Sequence, residues 1–264
     1  MDQPQIIIVL PAYNAARTLE RTLAEIPPPY NRHVLLIDDA SEDNTVALAR
    51  SLGLTVIRHD RNRGYGANQK TCYTAALSMG ADIVVMLHPD HQYDARVIPD
   101  LIAPLTDGLA DAVFGSRMLG HQPLAGGMPR WKYAANVLLT AAANLVFGRY
   151  LTEIHSGFRA YTRRYLERVR FLENSDDFVF DTEIIAQGMA CGLQFREVPI
   201  ETRYFPEASS INFRRSVKYG FGVLRVLARY LAHSAHLVRD PRMQPATEPV
   251  PELPVGSLAE RELG

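Results

Sequence analysis

The chain has 264 residues, with 28 Lys+Arg against 29 Asp+Glu for a formal charge of -1, and 47% hydrophobic and 22% charged residues. These proportions are those of a folded globular protein and exclude a disordered chain, a collagen or a coiled coil. Near-neutral charge gives no ground for nucleic-acid binding, and two cysteines, Cys72 and Cys191, are too few for a disulfide framework or a Cys-rich zinc site, which fits a cytoplasmic setting. In chain order, the apolar run 6–10 reads as a buried strand; it follows Asp2 and Pro4 with no basic leader, so no signal peptide is expected. A helix is expected over 16–26, a strand over 34–37, a helix over 43–52 and a strand over 54–58. Then come a helix over 65–79, a strand over 83–87, a helix over 97–105 and a strand over 112–115. Continuous apolar strands separated by helices imply an α/β fold with a mainly parallel central sheet and helices on both faces.

After Gly120 the pattern changes. Gly126-Gly127-Met128-Pro129 breaks the chain, and 130–147 and 178–189 read as helices, with a strand pair over 194–202. The sixteen uncharged residues 133–148 fall short of the ~20 apolar residues that span a bilayer, so no transmembrane span is expected and a core helix is the simpler reading. Residues 213–238 read as one long amphipathic helix, or two, with Val217, Phe221, Leu224, Leu227, Leu231 and Leu237 at roughly helical spacing. Positions 214–239 carry six basic residues and no acid. Residues 240–264 hold five acids, two arginines and five prolines, and read as a disordered tail.

In an open parallel sheet, ligands bind beyond the carboxyl ends of the strands. The first four strands end in Pro11-Ala12-Tyr13-Asn14, Asp38-Asp39-Ala40-Ser41, Arg61-Asn62-Arg63-Gly64-Tyr65-Gly66 and His88-Pro89-Asp90-His91-Gln92. Each alone reads equally well as a turn or a helix cap; four together, all polar and all at one edge, point to a site.

These segments, with Gly115-Ser116-Arg117 and Ser156-Gly157-Phe158-Arg159-Ala160-Tyr161, resemble the family-2 inverting glycosyltransferases. The resemblance covers about residues 5–235 and is greatest to the branch of dolichyl-phosphate mannose synthases and other polyprenyl-phosphate glycosyltransferases. It implies a GT-A fold that binds a nucleotide sugar, UDP- or GDP-linked, and transfers a hexose to a polyprenyl phosphate at the cytoplasmic face of a membrane. It also implies a division into a catalytic domain over 1–212, membrane-associating amphipathic helices over 213–239 and the tail 240–264. By the same resemblance, Pro11, Tyr13, Asn14, Asp38 and Asp39 would cradle base and ribose, with Arg63 and Gly64 in a loop near the donor. Where the family has Asp-x-Asp, this chain has His88-Pro89-Asp90, and Gln92 follows. Asp90, Gln92 and His88 would hold Mg²⁺ or Mn²⁺ on the donor diphosphate; one or two carboxylates plus phosphates suffice for Mg²⁺, and imidazole suits Mn²⁺ better.

Arg117, Arg159 and Arg203 would grip phosphates, because guanidinium forks match phosphate geometry; each alone reads equally as a salt bridge. Ser156 would line the substrate site. Glu153 stands where the family has an Asp. A hydroxyl acceptor would need a general base, for which Glu153, His155, Asp181 and Glu183 are the candidates; an already anionic lipid phosphate would not. A glycan-hydroxyl acceptor, or a non-catalytic nucleotide-sugar-binding module, stays open at this point.

Overall fold

The computed structural model of the chain describes residues 3–120, 123–124, 126–203, 213–253 and 262–263. Strand β1 (Ile6–Ala12) sends Ile7 and Val9 to one face and Ile8 and Leu10 to the other, all fully buried. This is the period-two geometry of a strand covered on both sides. Strands β2 (Val34–Asp38), β3 (Thr55–His59) and β4 (Ile83–Met86) join it in parallel. With β5 (Ala112–Ser116), β6 (Arg159–Thr162), β7 (Phe195–Pro199) and the two-residue β8 (Glu262–Leu263), they form a sheet in the order β7-β5-β6-β4-β1-β2-β3-β8. Strand β6 runs antiparallel to both of its neighbours, β4 and β5.

Helices α1 (Leu19–Ala24), α2 (Thr45–Ser51) and α4 (Ile98–Thr106) cover one face through Leu19, Ala49, Leu101 and Leu105. Helices α3 (Tyr65–Ser78), α6 (Arg163–Arg168) and α7 (Phe180–Ala190) cover the other, together with α5 (Arg130–Phe147) and α8 (Phe213–Ser234). The mainly parallel α/β sheet expected from the sequence is therefore present.

Two local expectations are corrected and one is narrowed. The strand pair over 194–202 is one strand, β7, followed by an isolated bridge between Tyr93 and Thr202. Residues 213–234 form a single helix. The tail is not disordered over 240–253: Met243 is buried, Val250 and Leu253 pack against the core, and Asp240 pairs with Arg229. Backbone bonds from Ala246 N to Arg168 O (2.9 Å) and from Leu253 N to Ser78 Oγ (2.8 Å) strap it down. Prolines cannot donate to a ladder, but three apolar anchors and an ion pair hold a proline-rich strand of chain without one. Of the remaining tail, all but 262–263 lies outside the described residues.

Helix α5 is a core helix on one side only: Ala143 and Phe147 enter the core with Leu139, Ala142 and Val146 packed against it, and the polar Asn136 and Thr140 are buried on the same side. Its outward residues include Trp131, Val137, Leu138 (70% exposed) and Leu145 (86%). Helix α8 has two apolar sides. Val223, Val226 and Leu227 enter the core, and Tyr230 meets Phe147 of α5 edge to face at 4.9 Å. Val217, Phe221 (71%), Leu224 and Leu231 face outward. The two helices thus share an exposed apolar surface beside the basic residues of α8. Among the described residues, no helix is long and apolar enough to cross a membrane.

Candidate active site

The polar strand ends converge at one edge of the sheet. Tyr13 stands half exposed just beyond β1, which excludes a core role for its ring. Asn14 adopts φ 53°; its N–H donates to Ser41 Oγ (2.8 Å), and its Oδ1 accepts from Glu42 N (2.9 Å). The loops after β1 and β2 are thereby tied together, with Pro11 in β1 paired to Ile37.

The two aspartates ending β2 have different surroundings. Asp39 Oδ1 meets His59 Nδ1 (2.7 Å) and accepts from Arg63 N (2.8 Å), while Oδ2 accepts from Gly64 N (3.0 Å). Asp39 thus shapes the turn after β3, where Gly64 has φ 98° and a Cβ would lie 2.7 Å from Asp176 O. Only glycine is comfortable there. The Arg63 side chain folds back onto Asp60. Asp38 is fully buried; its Oδ2 accepts from Ser41 N (2.9 Å) and lies 3.5 Å from Arg58 Nε, while Oδ1 has no hydrogen-bond partner among the described residues. A buried carboxylate oxygen in that state is an acceptor awaiting a donor.

After β4, Thr18 Oγ1 donates to Pro89 O (2.6 Å) and pins the turn. The His88 ring stacks on Tyr65 (5.6 Å, 14°) and lies so close to Gly157 that a Cβ there would come within 2.6 Å of Nε2. Burial lowers the His88 pKa, so its imidazole is neutral. Asp90 accepts from Gln92 N (3.1 Å) and from Gln92 Nε2 (2.9 Å), and burial raises its pKa. Gln92 therefore turns its amide N–H toward the carboxylate and orients Asp90. A buried carboxylate beside a neutral imidazole is a donor pair that fits a divalent cation, whose charge would relieve the desolvation of Asp90. Among the described residues no cluster of three or more His, Cys, Asp or Glu could hold a metal. A cation here would take its remaining ligands from diphosphate and water.

The three arginines fare differently. Arg117, just past β5, gives its N–H to Glu153 Oε2 (2.7 Å), its Nε to Oε1 (2.8 Å) and its Nη2 to Oε1 and to the His155 carbonyl (3.4 Å). Glu153 is fully buried. Burial pushes its pKa up, but the charge and hydrogen bonds of Arg117, with one from Asn136 Nδ2 (2.7 Å), outweigh this and hold it low. Glu153 is thus a fixed carboxylate that orients Arg117, and the role of base is corrected. Arg159, in β6, has 2% of its side chain exposed. It bonds the carbonyls of Ser156 (2.6 Å) and Ile154 (3.0 Å), pairs with Asp181 (3.3 Å) and lies over the Phe114 ring (5.1 Å). It is a buttress under the site, out of reach of a phosphate, so that expectation is overturned. Ser156, equally buried, accepts from Phe158 N through Oγ (3.3 Å). Arg203 meets both Glu25 oxygens (2.8 and 2.9 Å) and His91 Nε2 (3.1 Å), and its N–H donates to Gln92 O (2.9 Å). Residues 204–212, which the resemblance would make an acceptor loop, lie outside the described residues.

Sequence reasoning missed Asn136, Tyr65 and Tyr93. Tyr65 Oη donates to Asp181 Oδ2 (2.9 Å), and Tyr93 Oη accepts from Gly157 N (3.1 Å). The one signal available was Asn136, a polar residue interrupting an apolar run.

The profile of Glycosyl transferase family 2 matches residues 7–170. The chain is 26% identical over 216 residues to the UDP-N-acetylglucosamine--dolichyl-phosphate N-acetylglucosaminyltransferase of Methanococcus voltae, covering 75% of this chain and 86% of that one. It is 28% identical over 199 residues to a dolichyl-phosphate hexose transferase of Haloferax volcanii, covering 75% and 82%. Among solved structures, it superposes on glucosyl-3-phosphoglycerate synthase of Mycobacterium tuberculosis in complex with Mn²⁺, UDP and glucosyl-3-phosphoglycerate. There the TM-score is 0.62 at 18% identity, over 87% of this chain and 80% of that one; another crystal of that enzyme holds Mg²⁺ and UDP. The fold is thus that of GT-A glycosyltransferases.

Proposed function

The chain belongs to glycosyl transferase family 2, and from that premise we propose that it transfers a hexose, with inversion, from a UDP- or GDP-sugar to a polyprenyl phosphate at the cytoplasmic surface of a membrane. The observation that carries the acceptor is helix α5. Its buried polar side sends Asn136 to the Glu153–Arg117 pair, and its exposed side is apolar along its length. A lipid-linked acceptor places its chain and its phosphate on those two sides.

The roles follow from the surroundings. Pro11, Tyr13, Asn14 and Asp38 would border the nucleoside, with the unpartnered Asp38 Oδ1 accepting from a ribose hydroxyl or base N–H, and Asp39, Arg63 and Gly64 shaping the loop beside it. Asp90 and His88 would hold Mg²⁺ or Mn²⁺, and Gln92 would orient Asp90. When bound, the cation supplies positive charge to the diphosphate leaving group. Arg117, its guanidinium plane set by Glu153, adds a fixed positive charge where phosphates meet. Arg203, beside Gln92, stands at the entrance to the acceptor loop.

A phosphate acceptor also fits the four candidate bases, each of which is engaged or kept neutral. Glu153 is locked to Arg117. Burial lowers the pKa of His155 to about 3. Asp181 is bonded by Tyr65, Gln69 and Arg159. Glu183 accepts from Ser175 N (2.6 Å) and faces Arg242 across the C-terminal strap. An anionic acceptor needs no proton removed. With labelled UDP- and GDP-sugars and a lipid extract, label enters an acid-labile lipid; label confined to water-soluble product refutes the reading.

The membrane contact proposed for 213–239 extends to α5. Arg225 faces outward, whereas Arg229 is held by Asp240 and contributes to the strap. Sedimentation with anionic vesicles tests the surface. Leu138→Glu with Leu145→Glu is expected to cut binding about tenfold or more, and Arg225→Glu to weaken it several-fold in a salt-sensitive way. Binding unchanged in both variants removes the membrane contact.

A further inference from the structure

The two helices that carry the exposed apolar surface both send polar side chains to the same connection. From α5, Asn136 Nδ2 donates to Glu153 (2.7 Å), and Asn144 holds Leu151 at the start of that connection through both its amide atoms (2.7 and 3.0 Å). From α8, Tyr219 Oη meets His155 Nδ1 at 2.7 Å, the rings edge to face at 5.6 Å. Glu153 and His155 are the two residues of that loop that bind the Arg117 side chain, one through its carboxylate and the other through its carbonyl. Burial, then the nearby Asp181 charge, push the Tyr219 hydroxyl up to about 12, so it keeps its proton. Burial keeps His155 neutral, so the imidazole tautomer sets which of the two groups donates, and Thr182 Oγ1 lies 3.5 Å from the hydroxyl.

Helix α8 also packs an apolar seam of Val223, Val226 and Leu227, and it is tied elsewhere by Lys218–Asp177, by Arg229–Asp240 and by His233 Nδ1, which accepts from Asp240 N (3.1 Å). Those ties lead to other segments; among the described polar contacts of α8, the Tyr219–His155 bond is the one that reaches the loop holding Arg117. Any change in how α8 sits is therefore passed to His155, and from its carbonyl to the guanidinium of Arg117.

We propose that Asn136 and Tyr219 are positioning residues that couple the seating of α5 and α8 on a bilayer to the placement of Arg117, through the loop 152–156. The inference rests on the polyprenyl-phosphate reading and deepens it: the bilayer that holds the acceptor also completes the site that uses it.

The test uses the full chain, a short-chain water-soluble polyprenyl phosphate as acceptor, and acceptor-free vesicles of phosphatidylglycerol and phosphatidylcholine. In the wild-type enzyme, vesicles raise kcat/KM for the soluble acceptor about tenfold. Tyr219→Phe keeps its vesicle-free activity within about twofold and its vesicle binding, but is stimulated only about twofold or less. His155→Asn, whose side-chain amide can bond Tyr219 in place of Nδ1, retains most of the stimulation; His155→Ala loses it. Stimulation of Tyr219→Phe equal to wild type overturns the coupling, as does wild-type transfer without stimulation. Equal losses with and without vesicles, accompanied by a lower Tm, reduce the bond to a structural one and overturn it too. No transfer by the wild type under either condition refutes the acceptor reading, and the coupling falls with it.

Discussion

Replacing Asp90 with Ala is expected to lower kcat/KM for sugar transfer by about a thousandfold or more, while the protein folds as well as before. The two halves of that result have one cause. Asp90 is a carboxylate drawn away from water in a turn already fixed by Thr18 and by the backbone after β4, and burial raises its pKa. Its hydrogen bonds come from its near neighbour Gln92, so its removal leaves no distant partner unsatisfied. A group that costs stability to keep and is held ready by its neighbours is one retained for binding. Chelation of divalent cations should reproduce the loss in the wild type and add nothing in the variant. Full activity of Asp90→Ala, or a variant that is inactive because it unfolds, would remove Asp90 from the site.

Arg159→Met, by contrast, is expected to lower stability by about 3–5 kcal/mol, the effect of leaving a buried charge without its partner. At roughly 2–4 °C per kcal/mol for a chain of this size, Tm falls by roughly 10 °C. Below the transition, KM values for donor and acceptor should stay within about threefold of wild type. The reasoning is geometric: 2% of the Arg159 side chain is exposed, and two backbone carbonyls, Asp181 and the Phe114 ring surround it. Adding Asp181→Asn should recover part of the lost stability, since the orphaned carboxylate is then gone. A variant with unchanged Tm and a large rise in acceptor KM would restore Arg159 to phosphate binding. The parallel change at Arg117 should have the opposite signature, with loss of turnover exceeding loss of stability.

Arg117 and Arg159 show how far the sequence could be read. Each follows a short small-residue motif, Gly-Ser or Ser-Gly-Phe, and each presents the same chemistry to a reader of the chain. Strand β6 runs antiparallel between β4 and β5, which turns Arg159 inward toward Asp181, whereas Arg117 lies beyond the end of β5. Neither fact is written locally. Asp38 and Asp39 make the same point. They are adjacent and chemically equal, yet His59, twenty residues on, engages one and leaves an oxygen of the other without a partner.

The parallel sheet and its polar edge were legible because they depend on short-range regularities. Apolar runs of strand length recur between helical stretches, and the polar residues that end each of them must emerge at one edge once the strands are parallel. The two sides of α5 were not legible. Sixteen uncharged residues look like core to any local reading, and only the helix beside it and the loop beneath it settle that Asn136 and Thr140 point in while Leu138 and Leu145 point out. The tail shows the same limit from the other side: five prolines spell disorder locally, but Met243, Val250 and Leu253 find apolar surface on elements far earlier in the chain. Backbone period belongs to neighbours in sequence and can be read from them. Burial and partnership belong to neighbours in space, so which arginine is buried, which helix face stays exposed and which aspartate is tied to a histidine were decided by packing.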